Sequence, residues 1–195
     1  AYDDKYLVQV NGRYDGSSRF PKDDRFAFFP TFSLGWRLSQ EKFWKPIAHI
    51  VNDFKIRGSY GALGNQVLLQ GGNDMYYPYI STYTTGEVGY LFSGEKQMGV
   101  YAPGLVSDQL TWETVKQWDL GFNFSMFDSK LTGEFDYYVR TTEDMLTKSK
   151  TLPSILGVSE PQMNAADLRT SGWEVALTWK SALQNGLAYS ATLSL

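Results

Sequence analysis

Between Trp118 and Val139 the chain writes two segments of near-strict alternation joined by a tight turn, and few folds can accommodate such a ribbon. One face reads Trp118, Leu120, Phe122, Phe124 and Met126, then Leu131, Gly133, Phe135, Tyr137 and Val139. The other reads Gln117, Asp119, Gly121 and Asn123, then Glu134, Asp136, Tyr138 and Arg140. Strand side chains alternate with a period of two, so a two-residue turn at Asp128-Ser129 sets Phe124 opposite Gly133 and Phe122 opposite Phe135. The ribbon is then apolar on one side and polar on the other, like a wall between two media.

The same alternation recurs along the chain. Tyr6, Val8, Val10, Gly12 and Tyr14 alternate with Gln9, Asn11 and Arg13. Phe28, Phe32, Leu34, Trp36 and Leu38 alternate with Thr31, Ser33, Gly35 and Arg37, and Phe54, Ile56, Gly58 and Tyr60 with Lys55, Arg57 and Ser59. Trp173, Val175, Leu177 and Trp179 alternate with Glu174, Thr178 and Lys180, and Tyr189, Ala191 and Leu193 with Ser190, Thr192 and Ser194. Seven strands of about 9–13 residues are expected, the length that crosses a bilayer when tilted.

The connections follow a second pattern. Asp15 to Arg25, Gly64 to Gln109 and Glu143 to Thr170 are long, whereas Asp128-Ser129 and Ser181 to Gly186 are short. Asn185-Gly186 is a two-residue turn signal. A turn there would pair Trp179 with Thr192 and split the apolar face, so a loop of about five residues is expected instead. Ser39 to Val51 reads as a short helical link, with Ser39 as N-cap and Phe43, Trp44, Ile47 and Ile50 on one side. Alternating long and short links suit an up-and-down transmembrane barrel, and Tyr6, Tyr14, Trp118, Trp173 and Trp179 suit its interfacial girdles. A soluble β-sandwich carrying a glycan-binding loop is the alternative, because its sheets also bury one face and wet the other.

Composition excludes several functions. A net charge of -3 leaves no basic footprint for nucleic acid. With no cysteine there are no disulfides or thiolate metal sites, and the single histidine, His49, builds neither a triad nor a histidine metal centre. No cofactor site is read, and the chain is read as part of a non-enzyme. Glu134 and Asp136 stand roughly 7 Å apart on one strand face, which admits a glycosidase pair but suits a hydrated wall with Lys55, Arg57 and Arg140 as counter-charges. Asn123-Phe124-Ser125 matches a glycosylation sequon, but within a strand it reads as a chance match.

Aromatic residues make up 16% of the chain. The stretch from Asn73 to Tyr101 concentrates Tyr76, Tyr77, Tyr79, Tyr83 and Tyr90, with Phe92 and Tyr101, among small polar residues. Such rings offer apolar faces with a polar tip, so the five tyrosines are candidate ligand contacts; packing of the loop on itself or on a neighbouring protein is the plainer reading.

Five stretches carry a family resemblance: Tyr14-Asp15-Gly16-Ser17-Ser18-Arg19-Phe20; Phe29-Pro30-Thr31-Phe32-Ser33-Leu34-Gly35-Trp36-Arg37-Leu38-Ser39; Phe54 to Gly61 with Gly64-Asn65-Gln66; Leu110-Thr111-Trp112-Glu113-Thr114 leading into the ribbon with Asp136-Tyr137-Tyr138 and Thr142-Glu143-Asp144-Met145-Leu146; and Ser171-Gly172-Trp173-Glu174-Val175. In order and spacing they resemble the barrel of the SusC/RagA family of TonB-dependent transporters of the Bacteroidetes outer membrane. The resemblance implies a barrel of roughly 22 strands, of which residues 1–195 are a later part, without the plug domain. It further implies location in the bacterial outer membrane, contact with membrane lipid, and import of oligosaccharide or peptide. A SusD-like surface lipoprotein would cap the barrel, and TonB would act through the plug. Lys55, Arg57, Asp119, Glu134, Asp136 and Arg140 would then face the lumen.

Overall fold

The computed structural model describes every residue except 71, 72, 108, 109, 149–152, 154, 156–160, 184 and 185, together with the side chains of 69, 70, 73, 74 and 148. Its strands are β1 (Tyr6–Gly16), β2 (Phe26–Arg37), β3 (Val51–Asn65), β4 (Leu69–Gln70), β5 (Asn73–Asp74), β6 (Thr84–Phe92), β7 (Glu95–Tyr101), β8 (Glu113–Met126), β9 (Leu131–Lys148), β10 (Gln162–Ala182) and β11 (Ala188–Ser194). All seven expected strands join in one antiparallel sheet of order β1-β2-β3-β8-β9-β10-β11. Each neighbour in this main sheet is also the next main strand along the chain, so the sheet is an up-and-down meander. It is open: β1 and β11 are its edge strands. No second sheet packs on its apolar face among the described residues, which removes the β-sandwich alternative.

Register keeps the two faces sorted across the whole width. Tyr6, Trp36, Ile56, Phe122, Phe135 and Val175 lie opposite one another in one row, and Val8, Leu34, Gly58, Leu120, Tyr137 and Trp173 in the next. Directly opposed residues of antiparallel strands share a face, so these rows are a continuous apolar surface. Within it Phe54, Phe122 and Phe135 stack at 5.6 and 5.4 Å between ring centroids. Among the described residues little covers that surface: Val8 is 63% and Leu120 54% exposed. A soluble monomer rarely leaves so wide an apolar face bare.

The turns set this register. At the β8–β9 turn Asp128 and Ser129 have φ of 56° and 63°, the left-handed twist that matches a two-residue hairpin, and Met126 pairs with Leu131. At the β10–β11 turn Trp179 pairs with Ala191 and Ala182 with Ala188, leaving a five-residue loop. The face argument therefore prevails over the Asn185-Gly186 signal, although Asn185 itself lies outside the described residues.

Two expectations need correction. The link after β2 is helical, but as two three-residue 3-10 turns, Leu38–Gln40 and Lys42–Trp44, followed by turns, not as an α-helix. Pro46 accounts for this: it has no N–H, and its ring obstructs the carbonyl four residues back. The backbone bonds that follow mostly keep three-residue spacing, as in Ile47 N–H to the Trp44 carbonyl at 3.0 Å and Ile50 N–H to the Ile47 carbonyl at 2.9 Å. Ser39 does not cap; it lies inside the first turn and donates its hydroxyl to Asp53. Trp44 closes the link by stacking on Phe54 at 5.4 Å and donating its indole N–H to the Val51 carbonyl at 3.0 Å.

Strand length is the second correction. β9 runs for 18 residues and β10 for 21, well beyond the alternating segments. Past Arg140 the chain runs Thr-Thr-Glu-Asp-Met-Leu, polar and apolar in blocks, so the period-two signal fades while backbone pairing continues.

The buried core lies at the long-loop end. Phe20, Phe29, Ala62, Leu68, Leu110 and Trp112 form one cluster, with Phe20 fully buried and Trp112 5% exposed. Its members come from the β1–β2 loop, from β2 and β3, and from the connection between β3 and β8, so it ties the long loops to the strand ends.

Candidate functional site

The candidate site begins with the face opposite the aromatic rows. Lys55 lies beside Asn123 and Glu134 in one row, Arg57 beside Gly121, Asp136 and Glu174 in the next, and Ser59 beside Asp119 and Tyr138 in the third. A fourth row holds Gln117 and Arg140. The six polar-face residues expected from the sequence are thus on one face of β3, β8 and β9.

Their side chains form two hydrogen-bonded chains. Arg57 reaches over β8 to Asp136 with 2.5 Å between Nη2 and Oδ2, and its Nε donates to Asn123 Oδ1 at 3.0 Å. Asn123 in turn donates to Glu134 at 3.3 Å. In the second chain Arg140 donates to Gln117 at 2.8 Å, Gln117 to Asp119 at 2.8 Å, and Ser59 to the other Asp119 oxygen at 3.0 Å. Lys55 forms no ion pair or side-chain hydrogen bond among the described residues.

Gly121 makes the first chain possible. A Cβ there would sit 2.1 Å from Asp136 Oδ1, so only glycine lets the carboxylate lie flat across β8 toward Arg57. Small residues at Ser33, Gly35, Ser59 and Gly121 leave a depression of about 470 Å³ that runs from Leu7 and Gln9 on β1 to Arg57, Asp119 and Asp136. Glu134 and Asp136, the expected acidic pair, are both engaged in this wall network.

The tyrosine-bearing connection divides into two parts. Tyr76, Tyr77 and Tyr79 come together near its base. The Arg19 guanidinium lies over the Tyr76 ring at 4.9 Å, Tyr77 meets Tyr79 edge-on at 6.4 Å, and Arg25 donates to the Tyr79 hydroxyl at 3.3 Å. Tyr83 precedes β6 and Tyr90 lies within it, on the separate β6–β7 hairpin; they are 72% and 65% exposed. Five tyrosines adjacent in sequence therefore do not make one surface. The partnership of Arg19 and Arg25 with the first group was not legible in the chain, because the β1–β2 loop gives no local sign of which ring it will meet.

Asn164 pins the returning end of this connection. Its side-chain amide accepts from Thr111 N–H and donates to the Thr111 carbonyl, both at 3.0 Å, beside a register shift in β10.

The short-turn rim carries charge. The Tyr6 hydroxyl donates to Glu41 at 2.8 Å, the Trp36 indole N–H donates to the same oxygen at 3.3 Å, and Lys5 pairs with Asp3 at 3.0 Å. These donors, Tyr6 foremost and Trp36 next, hold the Glu41 carboxyl below its ordinary range. The Asp3 carboxylate raises the Lys5 ammonium.

An open antiparallel meander, apolar on one face and hydrogen-bonded polar on the other, with long loops on one edge and tight turns on the opposite edge, is a segment of a transmembrane β-barrel wall. Residues 1–194 match the family model described as TonB dependent receptor-like, beta-barrel, and the chain belongs to that family. It is 34% identical over 198 aligned residues to TonB-dependent receptor P3 of Formosa agariphila, covering 99% of this chain and 18% of the relative. It is 30% identical to TonB-dependent receptor SusC of Bacteroides thetaiotaomicron, covering 90% of this chain and 17% of the relative. The chain thus spans under a fifth of the length of these two relatives. A structure of the RagAB peptide importer in its open-open state shares the fold with a TM-score of 0.77 at 23% identity, over the whole of this chain and 21% of that one. The siderophore receptor PirA from Pseudomonas aeruginosa matches more loosely, with a TM-score of 0.56. Barrels of the SusC/RagA type reside in the bacterial outer membrane, as the sequence resemblance implied.

Proposed function

We propose that residues 1–195 are part of one barrel domain of an outer-membrane importer that takes up glycans or peptides at the expense of energy delivered by TonB. The observation that carries this reading is the sorting of the two faces across seven strands. The apolar rows contact lipid, and the polar rows, with Lys55, Arg57, Asp119, Glu134, Asp136 and Arg140, face the lumen. There they line the substrate path or hold a plug domain, through which TonB acts. A SusD-like lipoprotein caps the long-loop side. The tyrosine group at Tyr76, Tyr77 and Tyr79, with Tyr83 and Tyr90 on the exposed hairpin, offers contacts to substrate or to that lipoprotein. The RagAB peptide importer, by its name, supports peptide as a cargo, and the name TonB-dependent receptor SusC supports the energy source.

In this reading the chain has no enzymatic role, and Glu134 and Asp136 serve as hydrogen-bonded residues of the wall. The test is uptake of labelled maltohexaose or labelled peptide by cells carrying the full-length protein, with and without TonB. Uptake of one cargo that is lost without TonB is expected; uptake that persists contradicts the reading.

A further inference from the structure

At the long-loop end lies a pocket of about 540 Å³ between the β3–β8 connection and the ends of β9 and β10. Met75, Ile80, Leu105, Val106, Leu110 and Leu146 form the apolar part of its described wall. It rests on the buried cluster, with which Leu68 and Leu110 are shared, so its floor is fixed by packing. Tyr76 and Tyr77 complete it. Tyr77 holds a φ of 56°, an outlier for so bulky a residue, and strained backbone of this kind gathers at ligand clamps.

We propose that this pocket seats an apolar side chain of an imported peptide, and not a sugar ring. The proposal rests on the uptake reading and narrows its substrate class. Sugar recognition relies on several charged or amide groups that match the hydroxyls. Among the described lining residues no side chain is charged, and the polar ones are Thr82, Ser107, Gln162 and the two tyrosines. An aliphatic cavity gains by removing apolar surface from water, which a leucine or phenylalanine side chain supplies and a glucose ring does not.

The test uses the full-length transporter purified in detergent. Three probes are titrated by calorimetry: the pentapeptide Gly-Leu-Phe-Leu-Gly, its counterpart Gly-Ser-Ser-Ser-Gly, and maltohexaose. The apolar peptide should bind at least tenfold more tightly than either of the others. Leu105→Asp should abolish that preference; Leu105 is 47% exposed, so the substitution spares the core. Tyr77→Ala, a milder change, should reduce it severalfold. Equal binding of the two peptides, preference for maltohexaose, absence of peptide binding, or a preference that survives Leu105→Asp would each overturn the proposal. The uptake reading is judged separately, by loss of cargo uptake in cells lacking TonB, and stands or falls whatever the pocket binds.

Discussion

Arg57 and Asp136 form an ion pair although their strands do not touch: β8 lies between them, and the pair closes over Gly121. Neighbouring strands stand about 4.8 Å apart, so the side chains bridge roughly 10 Å of sheet. The bridge requires the middle strand to offer no side chain on that face. Gly121→Val should therefore push the carboxylate off the strand and separate the pair. Overpacking of this kind costs about 1–3 kcal/mol. Denaturant unfolding of the detergent-solubilised protein should show that loss, whereas Gly121→Val in an Asp136→Ala background should cost less. Equal cost in both backgrounds would refute the coupling.

Phe122 sits mid-row on the apolar face, stacked between Phe54 and Phe135. Phe122→Arg places a cation against lipid, at a cost of about 2–4 kcal/mol near the midplane and less toward the rims. Folding into lipid vesicles should be impaired, whereas Asn123→Arg on the opposite face should insert with a smaller loss. Unchanged insertion of Phe122→Arg would show that the faces are reversed.

Asn164→Ala removes both bonds to the Thr111 backbone and the one to the Asp144 carbonyl in β9. Leaving such groups unmet costs about 1–3 kcal/mol where water cannot replace them. The effect should be local: faster hydrogen exchange at the Thr111 amide and quicker proteolytic nicking of the connection before β8, with the main sheet unaltered below the upper ends of β9 and β10.

The rim cluster is sensitive to acid. Because the folded Glu41 carboxyl is held below its ordinary range, its contribution is complete above the unfolded value and is lost as pH falls through the lower folded one. Fluorescence of Trp36, which donates to Glu41, should titrate in that acid window and lose the transition in Glu41→Gln. A transition unchanged by Glu41→Gln would assign it elsewhere.

Most of the main sheet was legible because one face must remain apolar across every strand. That single requirement located the strands, and it chose a five-residue loop over the Asn185-Gly186 turn. It falls silent wherever both faces have the same character. The upper parts of β9 and β10 mix polar and apolar residues without a period of two, so their length was hidden. The β6–β7 hairpin was missed for the opposite reason: Tyr90, Leu91 and Phe92 are consecutive and all exposed, and the register shifts between Glu87 and Leu91. The polar-face residues followed from parity alone. Which of them would bond depended on the absence of a side chain at Gly121, and the grouping of Tyr76, Tyr77 and Tyr79 with Arg19 and Arg25 depended on loop packing. Neither leaves a periodic trace.

The most direct test of the wall is a nitroxide scan along β8. Single cysteines introduced from residue 117 to residue 124 of the membrane-inserted barrel, each spin-labelled, report collision with oxygen, which concentrates in lipid, and with a water-soluble nickel complex. Even positions, beginning with Trp118 and Leu120, should favour oxygen, and odd positions, including Asp119 and Asn123, should favour nickel, with a period of two. A uniform profile or the inverse phase would contradict a wall with lipid on its aromatic side and an aqueous lumen on the other.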